Sequence, residues 1–221
     1  MIRTEGHPEI PSRFGIVPRY GKAADLRWFE ASPGYMLHVV NAWEEGDEIV
    51  MIGTPYRIHK GDDGQPDVQR LIKTIRNRRR DYLLKEWRFD LKTGKTTERI
   101  IDDVLNSEFP VINSAYQGRK NRWTYNIIFP QGGEEEPRFT GLVKYDLETG
   151  GYQAWSEGPD FYYNEPGFVW NPRAVRSEIQ VFNCRGTEFG RGPIARVLLP
   201  QRVPNGFHAT YVSAARLRSG K

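Results

Sequence analysis

The stretch Trp87–Ile100, WRFDLKTGKTTERI, decides the fold because it recurs. Val143–Trp155, VKYDLETGGYQAW, has the same plan: an apolar strand, then Asp-Leu-x-Thr-Gly, then a second strand. Asp-Leu-x-Thr-Gly reads as a hairpin turn in which Gly94 and Gly150 supply a positive φ. A third, degraded copy is IQVFNCRGTEFGRGPIARV, Ile179 to Val197. Asp90 and Asp146 lie 146 − 90 = 56 positions apart, whereas Asp146 and Asn183 lie only 183 − 146 = 37 apart, so the last unit is shortened. Aromatic strand-turn-strand units at this spacing, with no helical periodicity between them, are the mark of β-propeller blades. At about 40–55 residues per blade, the 221 residues hold about four. The expected fold is all-β, either a small closed ring or part of a larger one. An unclosed arc leaves strand edges unpaired.

Working upstream, Tyr35–Ile52 (YMLHVVNAWEEGDEIVMI) reads as a hairpin. Alternation along its first strand puts Met36, His38 and Val40 on one face and Leu37 and Val39 on the other, and both faces read as buried. Gly53, Pro55 and then GDDGQP are expected to end the second strand. An imidazole in that setting needs partners, because an unsatisfied buried polar group costs about 1–3 kcal/mol. His38 is either a core histidine bonded to a carbonyl or a metal ligand whose second ring nitrogen donates to a carboxylate. Still further upstream, Arg13–Glu30 (RFGIVPRYGKAADLRWFE) predicts two short strands joined by a turn at YGKAAD.

One segment differs in kind. Val68, Leu71, Ile72 and Ile75 fall at helical spacing, with Asp67 placed to cap and Arg70, Lys73, Arg76 and Arg78–Arg80 on other faces. Residues 67–80 thus predict a short basic amphipathic helix inserted into the β fold. It suits a solvated face or a peripheral contact with a membrane surface. Its basic run is too short to carry a nucleic-acid reading, and no nucleic-acid partner is expected.

Composition bounds the remaining chemistry. The chain is 38% hydrophobic and 13% aromatic, as a soluble globular protein is, and its net charge of +4 is mild. No run of about 18 apolar residues is present, so no spanning helix is expected. The amino terminus MIRTEGHPEIPSRFG lacks an apolar signal core, so no removable leader is expected either. Cys184, the single cysteine, rules out an internal disulfide and a thiolate zinc cluster. A bound metal would draw on His, Asp or Glu. Besides His38, the candidates are Glu108 in SEFPVINSAYQGRKNRW, Glu165 in FYYNEPGFVWNP and His208 in LLPQRVPNGFHATYV. Each alone reads as an ordinary loop residue; together they offer two imidazoles and two outer carboxylates.

In order along the chain, RFGIVPRYG, YMLHVVNAWEEGDEIV, WRFDLKTG, SEFPVINSAYQGRKNRW, FTGLVKYDLETG, NEPGFVWNP and PIARVLLPQRVPNGFHATYV resemble the carboxy-terminal half of the carotenoid cleavage oxygenases. The resemblance covers Arg13–Val212 within a single unit spanning residues 1–221, with 213–221 a tail. It implies a partial seven-bladed propeller with Fe(II) on the axis, held by four histidines. His38 matches the third ligand and His208 the fourth. Glu108 is expected to orient His38 and Glu165 to orient His208, each accepting the non-metal ring N–H. The iron keeps positions open for O2, and both oxygen atoms enter one double bond of a conjugated polyene to give two carbonyl products. Phe161, Tyr162 and Tyr163 either line a tunnel for the lipophilic substrate or fill a blade core.

Two departures qualify the resemblance. The family's first two ligand histidines have no counterpart here, and neither His7 nor His59 matches a ligand position. Between NPRA and SEIQVFN a short acidic turn and an apolar strand are missing, which accounts for the shortened spacing. The expectation is a chain that binds iron weakly and is inactive by itself, the other two ligands coming from an amino-terminal half. The alternative is a metal-free propeller fragment that serves as an interaction surface. Expected localisation is soluble or peripherally membrane-associated, in a bacterial cytoplasm or a plant plastid.

Overall fold

The two Asp-Leu-x-Thr-Gly copies fold identically. The Asp90 carboxylate accepts the N–H groups of Lys92 and Thr93 at 2.7 and 2.9 Å. The Asp146 carboxylate accepts those of Glu148 and Thr149 at 3.1 and 3.4 Å. The glycine N–H then closes on the aspartate carbonyl, at 2.9 Å for Gly94 and 2.8 Å for Gly150, with φ of 74° and 76°. A Cβ at Gly94 would meet nothing within 4 Å, so only the left-handed backbone opposes a larger residue. Gly94→Ala is expected to lower unfolding free energy by about 1 kcal/mol in a urea titration, with an unchanged m-value.

These turns join outer strands of two four-stranded meanders. The computed structural model describes residues 7–57, 82–129, 139–158, 163, 166, 181–182 and 188–196. β1 (Ser12–Ile16) pairs antiparallel with β2 (Arg27–Ala31) across a 3-10 turn at Ala23–Asp25. β3 (Tyr35–Glu45), β4 (Glu48–Tyr56), β5 (Leu84–Asp90) and β6 (Thr96–Asp102) form one sheet in sequence order. β7 (Ser107–Val111), β8 (Trp123–Ile128), β9 (Gly141–Asp146) and β10 (Tyr152–Trp155) form a second sheet of the same order. The degraded third copy contributes the antiparallel pair β11 (Val181–Phe182) and β12 (Pro193–Ala195). Each four-stranded sheet is a blade. The last strand of the first blade runs directly into the first strand of the next, and β7 lies beside β3.

The first blade is buried on both faces. Val50, Ile52 and Leu84, with Val40 and Trp43, meet Val143, Tyr145 and Leu147 of the second blade. On the opposite face Trp87 and Phe89 pack with Phe29 and Ala31, flanked by Phe14, Ile49 and Met51. Burial on both faces explains why β4 reads as a continuous apolar run and does not alternate. Between the blades, the buried Tyr145 hydroxyl donates to Asp102 at 2.8 Å and meets Ser107 Oγ at 3.0 Å. Burial, with Asp102 beside it, pushes the phenol far up from its ordinary range, so it stays a neutral donor.

The hairpin departs from its sequence reading in three respects. Register shifts between Met36 and His38, and again between Val39 and Asn41. Met36 packs toward the Trp87 cluster and Val40 toward the second blade, so Met36, His38 and Val40 do not share a face. Leu37 and Val39 are exposed rather than buried, because β3 is an edge strand in its sheet. β4 also continues through Gly53 and Pro55 to Tyr56. Pro55 lies past Gly53, the last residue of β4 paired with β5, and offers a carbonyl to Leu83 N–H at 3.1 Å, so its missing N–H removes no ladder bond there. The helix expected at 67–80 lies outside the described residues.

Candidate metal centre

His38 and Glu108 are 70 residues apart in sequence and meet where β3 passes β7. His38 Nδ1 lies 2.6 Å from Glu108 Oε2, and the Glu108 side chain is only 1% exposed, against 36% for the imidazole. A carboxylate can only accept, so Nδ1 carries the proton, and in the neutral ring the lone pair is then on Nε2. Thr54, paired directly across the hairpin from His38, holds the other carboxylate oxygen: Thr54 Oγ1 lies 2.5 Å from Glu108 Oε1. The same hydroxyl lies 3.3 Å from the His38 carbonyl, and its single proton goes to the shorter contact. The Phe109 N–H is a third donor to Glu108.

Backbone strain accompanies this arrangement. Phe109 has φ of 52°, left-handed for a bulky aromatic residue, at a cost of about 1–2 kcal/mol. The turn brings the Phe109 ring against His38, with centroids 5.0 Å apart, and against Phe139 at 5.5 Å. Phe129 continues the wall, 5.0 Å from Phe139 and 5.3 Å from Tyr82. Gly53 completes the opposite side, where a Cβ would come within 2.8 Å of Met36 Sδ and 3.1 Å of the His38 carbonyl. Below the histidine, the buried Asn41 side chain pins the loop that follows β7. Its Oδ1 accepts Gly118 N–H at 3.0 Å, and its Nδ2 lies 2.7 Å from both the Arg119 carbonyl and Asn121 Oδ1.

Of the residues singled out from sequence, the structure thus brings His38 and Glu108 together. His208, Glu165, Phe161 and Tyr162 lie outside the described residues, as does His59. Tyr163 is half-buried, bridges Phe139 through its backbone, and accepts Glu157 N–H on its hydroxyl at 2.9 Å. His7 pairs with its neighbour Glu9 at 3.0 Å. Among the described residues, no group of three or more His, Cys, Asp or Glu converges. Sequence reasoning passed over Thr54 and Asn41. Counting back from the Gly46 turn places Pro55 opposite His38, and only the bulge substitutes Thr54.

An imidazole whose Nδ1–H is fixed on a buried carboxylate presents Nε2 in one orientation, which is how proteins build a histidine metal ligand. The donor chemistry therefore fits a metal held through His38 Nε2. The description Retinal pigment epithelial membrane protein names the family whose model matches residues 4–213. The chain belongs to this family, that of the carotenoid cleavage oxygenases. Similar members of the family include a carotenoid 9,10(9',10')-cleavage dioxygenase of Crocus sativus, 32% identical over 238 residues, and a carotenoid cleavage oxygenase of Mycobacterium tuberculosis, 31% identical over 232 residues. The alignments cover 94% and 93% of this chain but 42% and 43% of those proteins, so the chain spans well under half their length. Among solved structures, the lignostilbene dioxygenase of Pseudomonas brassicacearum matches with a TM-score of 0.66 at 21% identity, over 93% of this chain and 48% of the other. A cobalt-substituted Synechocystis apocarotenoid oxygenase matches with a TM-score of 0.59 at 24% identity, over 78% of this chain and 34% of that one. These two likenesses establish the family's propeller-type fold for the sheets described above.

Proposed function

We propose that this chain is the carboxy-terminal portion of a non-haem Fe(II)-dependent dioxygenase that cleaves a conjugated double bond of a carotenoid or apocarotenoid into two carbonyl products. The observation that carries the reading is the His38–Glu108 pair at the meeting of two blade-initial strands. The names of the relatives support the substrate class, and the cobalt-substituted neighbour supports a metal. Iron would be held through His38 Nε2 and, by resemblance, through His208, with two further imidazoles from residues outside this chain. When bound, it would supply activation of O2 at positions left open by the histidines.

The chain's own residues contribute orientation and an apolar lining. Glu108 holds the proton at His38 Nδ1, which keeps the opposite nitrogen basic. Glu165 would do the same for His208. Phe109, Phe129 and Phe139 form an apolar wall beside His38 that suits a polyene. The segment 67–80 would provide peripheral membrane contact for collecting a lipophilic substrate.

In a chain extended to full family length, His38→Ala is expected to abolish turnover of an apocarotenal, at least 100-fold, with loss of bound iron; absorbance decay of the polyene and metal analysis measure both. Unchanged turnover would remove the proposal. The 221-residue chain by itself is expected to bind Fe(II) weakly and to leave the polyene intact. If instead the extended chain holds no iron and both histidines tolerate alanine, the chain is a metal-free propeller fragment that serves as an interaction surface.

A further inference from the structure

We propose that Thr54 is a positioning residue of the metal site, acting through Glu108 to fix the tautomer of His38; this rests on the reading of His38 as a ligand. Thr54 is completely buried and, counting from the Gly46 turn, stands opposite His38 only because the strand bulges between Val39 and Asn41. Its hydroxyl donates to Glu108 Oε1 at 2.5 Å while His38 Nδ1 occupies Oε2 at 2.6 Å. The two contacts use different oxygens of one carboxylate, so the hydroxyl sets the rotation of the carboxyl plane and thereby the direction in which Nδ1–H is drawn. Phe109 N–H also donates to Oε2, the histidine's own oxygen, and so does not replace Thr54 on Oε1. Without the hydroxyl, Oε1 would lie in an apolar interior with a lone pair unmet. The carboxylate would then turn toward other donors.

Valine matches threonine in shape and lacks the hydroxyl; serine keeps the hydroxyl and loses the methyl. Two measurements separate the possibilities, the first on the 221-residue chain and the second on a chain extended to full family length. Long-range 1H–15N spectra of the imidazoles, with His38 assigned by its disappearance in His38→Ala, report the tautomer with no metal present. Titration with Co(II), followed by visible absorption, reports affinity at the site. The wild-type chain is expected to show the Nδ1–H form. Thr54→Val is expected to shift His38 toward the Nε2–H form and to weaken Co(II) binding about tenfold, and Thr54→Ser to restore both.

An unchanged tautomer in Thr54→Val overturns the proposal, as does a loss in Thr54→Ser equal to that in Thr54→Val, which would assign the effect to packing. If the chain extended to full family length gives no cobalt spectrum sensitive to His38→Ala, the metal-site reading fails on its own. The tautomer measurement then still decides whether Thr54 positions the ring. Should Thr54→Val fail to fold, Thr54→Cys, with a weak donor of similar size, must give an intermediate tautomer ratio; a wild-type ratio there also overturns the proposal.

Discussion

Replacing Glu108 with alanine is expected to lower the unfolding free energy by about 3–5 kcal/mol, the largest polar effect in the described structure. The side chain is 1% exposed and accepts from three donors: His38 Nδ1–H, Thr54 Oγ1–H and Phe109 N–H. Removing it leaves all three facing an apolar void, each at about 1–3 kcal/mol, with partial relief from water entering beside the part-exposed histidine. It also removes the contact that accompanies the left-handed backbone at Phe109. Glu108→Gln separates stability from site chemistry. Its amide oxygen can still accept from Thr54, but its NH2 then faces both His38 Nδ1–H and the Phe109 N–H, and a donor cannot pair with a donor. The imidazole must move its proton to Nε2 to accept there, and a protonated Nε2 cannot hold a metal. The expected outcome is a modest stability loss of about 1–2 kcal/mol in Glu108→Gln together with a loss of Co(II) affinity as large as that in Glu108→Ala. Urea titrations and cobalt absorption on both variants check this pairing. Full cobalt affinity in Glu108→Gln would mean that the carboxylate serves the fold alone.

The second large effect concerns packing. Phe89→Ala is expected to destabilise the chain by about 3–5 kcal/mol. The ring is 1% exposed and lies between the blade and the β1–β2 pair, with centroid distances of 5.1 Å to Phe14 and 5.4 Å to Phe29. The β1–β2 pair has only two strands and little core of its own, so it depends on this contact for its place. Loss of the ring leaves a cavity that Trp87 cannot fill, since its own ring already packs against Phe14, with centroids 5.6 Å apart. Amide exchange should accelerate first in β1 and β2, before the inter-blade cluster around Val50 and Tyr145 responds. Ile100→Ala, at a site 50% exposed, is the control and should change stability by less than about 0.5 kcal/mol. Equal effects at the two sites would show that β1 and β2 are not held by this aromatic cluster.

Much of this was legible in the residues. The turn chemistry is local: an aspartate, a glycine four residues on and apolar strands either side are sufficient to specify a hairpin, and both copies fold as their spacing predicts. Recurrence of that unit gave the blades. The ordered motifs from Arg13 to Val212 gave the family, which the match over residues 4–213 establishes. His38 was visible as an imidazole among apolar residues, a placement that demands a partner.

What the sequence by itself determined, then, is every feature fixed within a few residues of chain: strands, turns, blade repeats and which side chains have chemistry to offer. The tertiary structure alone decided which of them meet. Alternation cannot place Thr54 beside Glu108, because a single extra residue in β3 shifts every later pairing by one position. Nor can it say that Leu37 and Val39 are exposed, since that depends on β3 being an edge strand of its sheet. The contact between His38 and Glu108 spans 70 residues and forms only when two blades dock, and docking is driven by non-directional burial that no local pattern encodes.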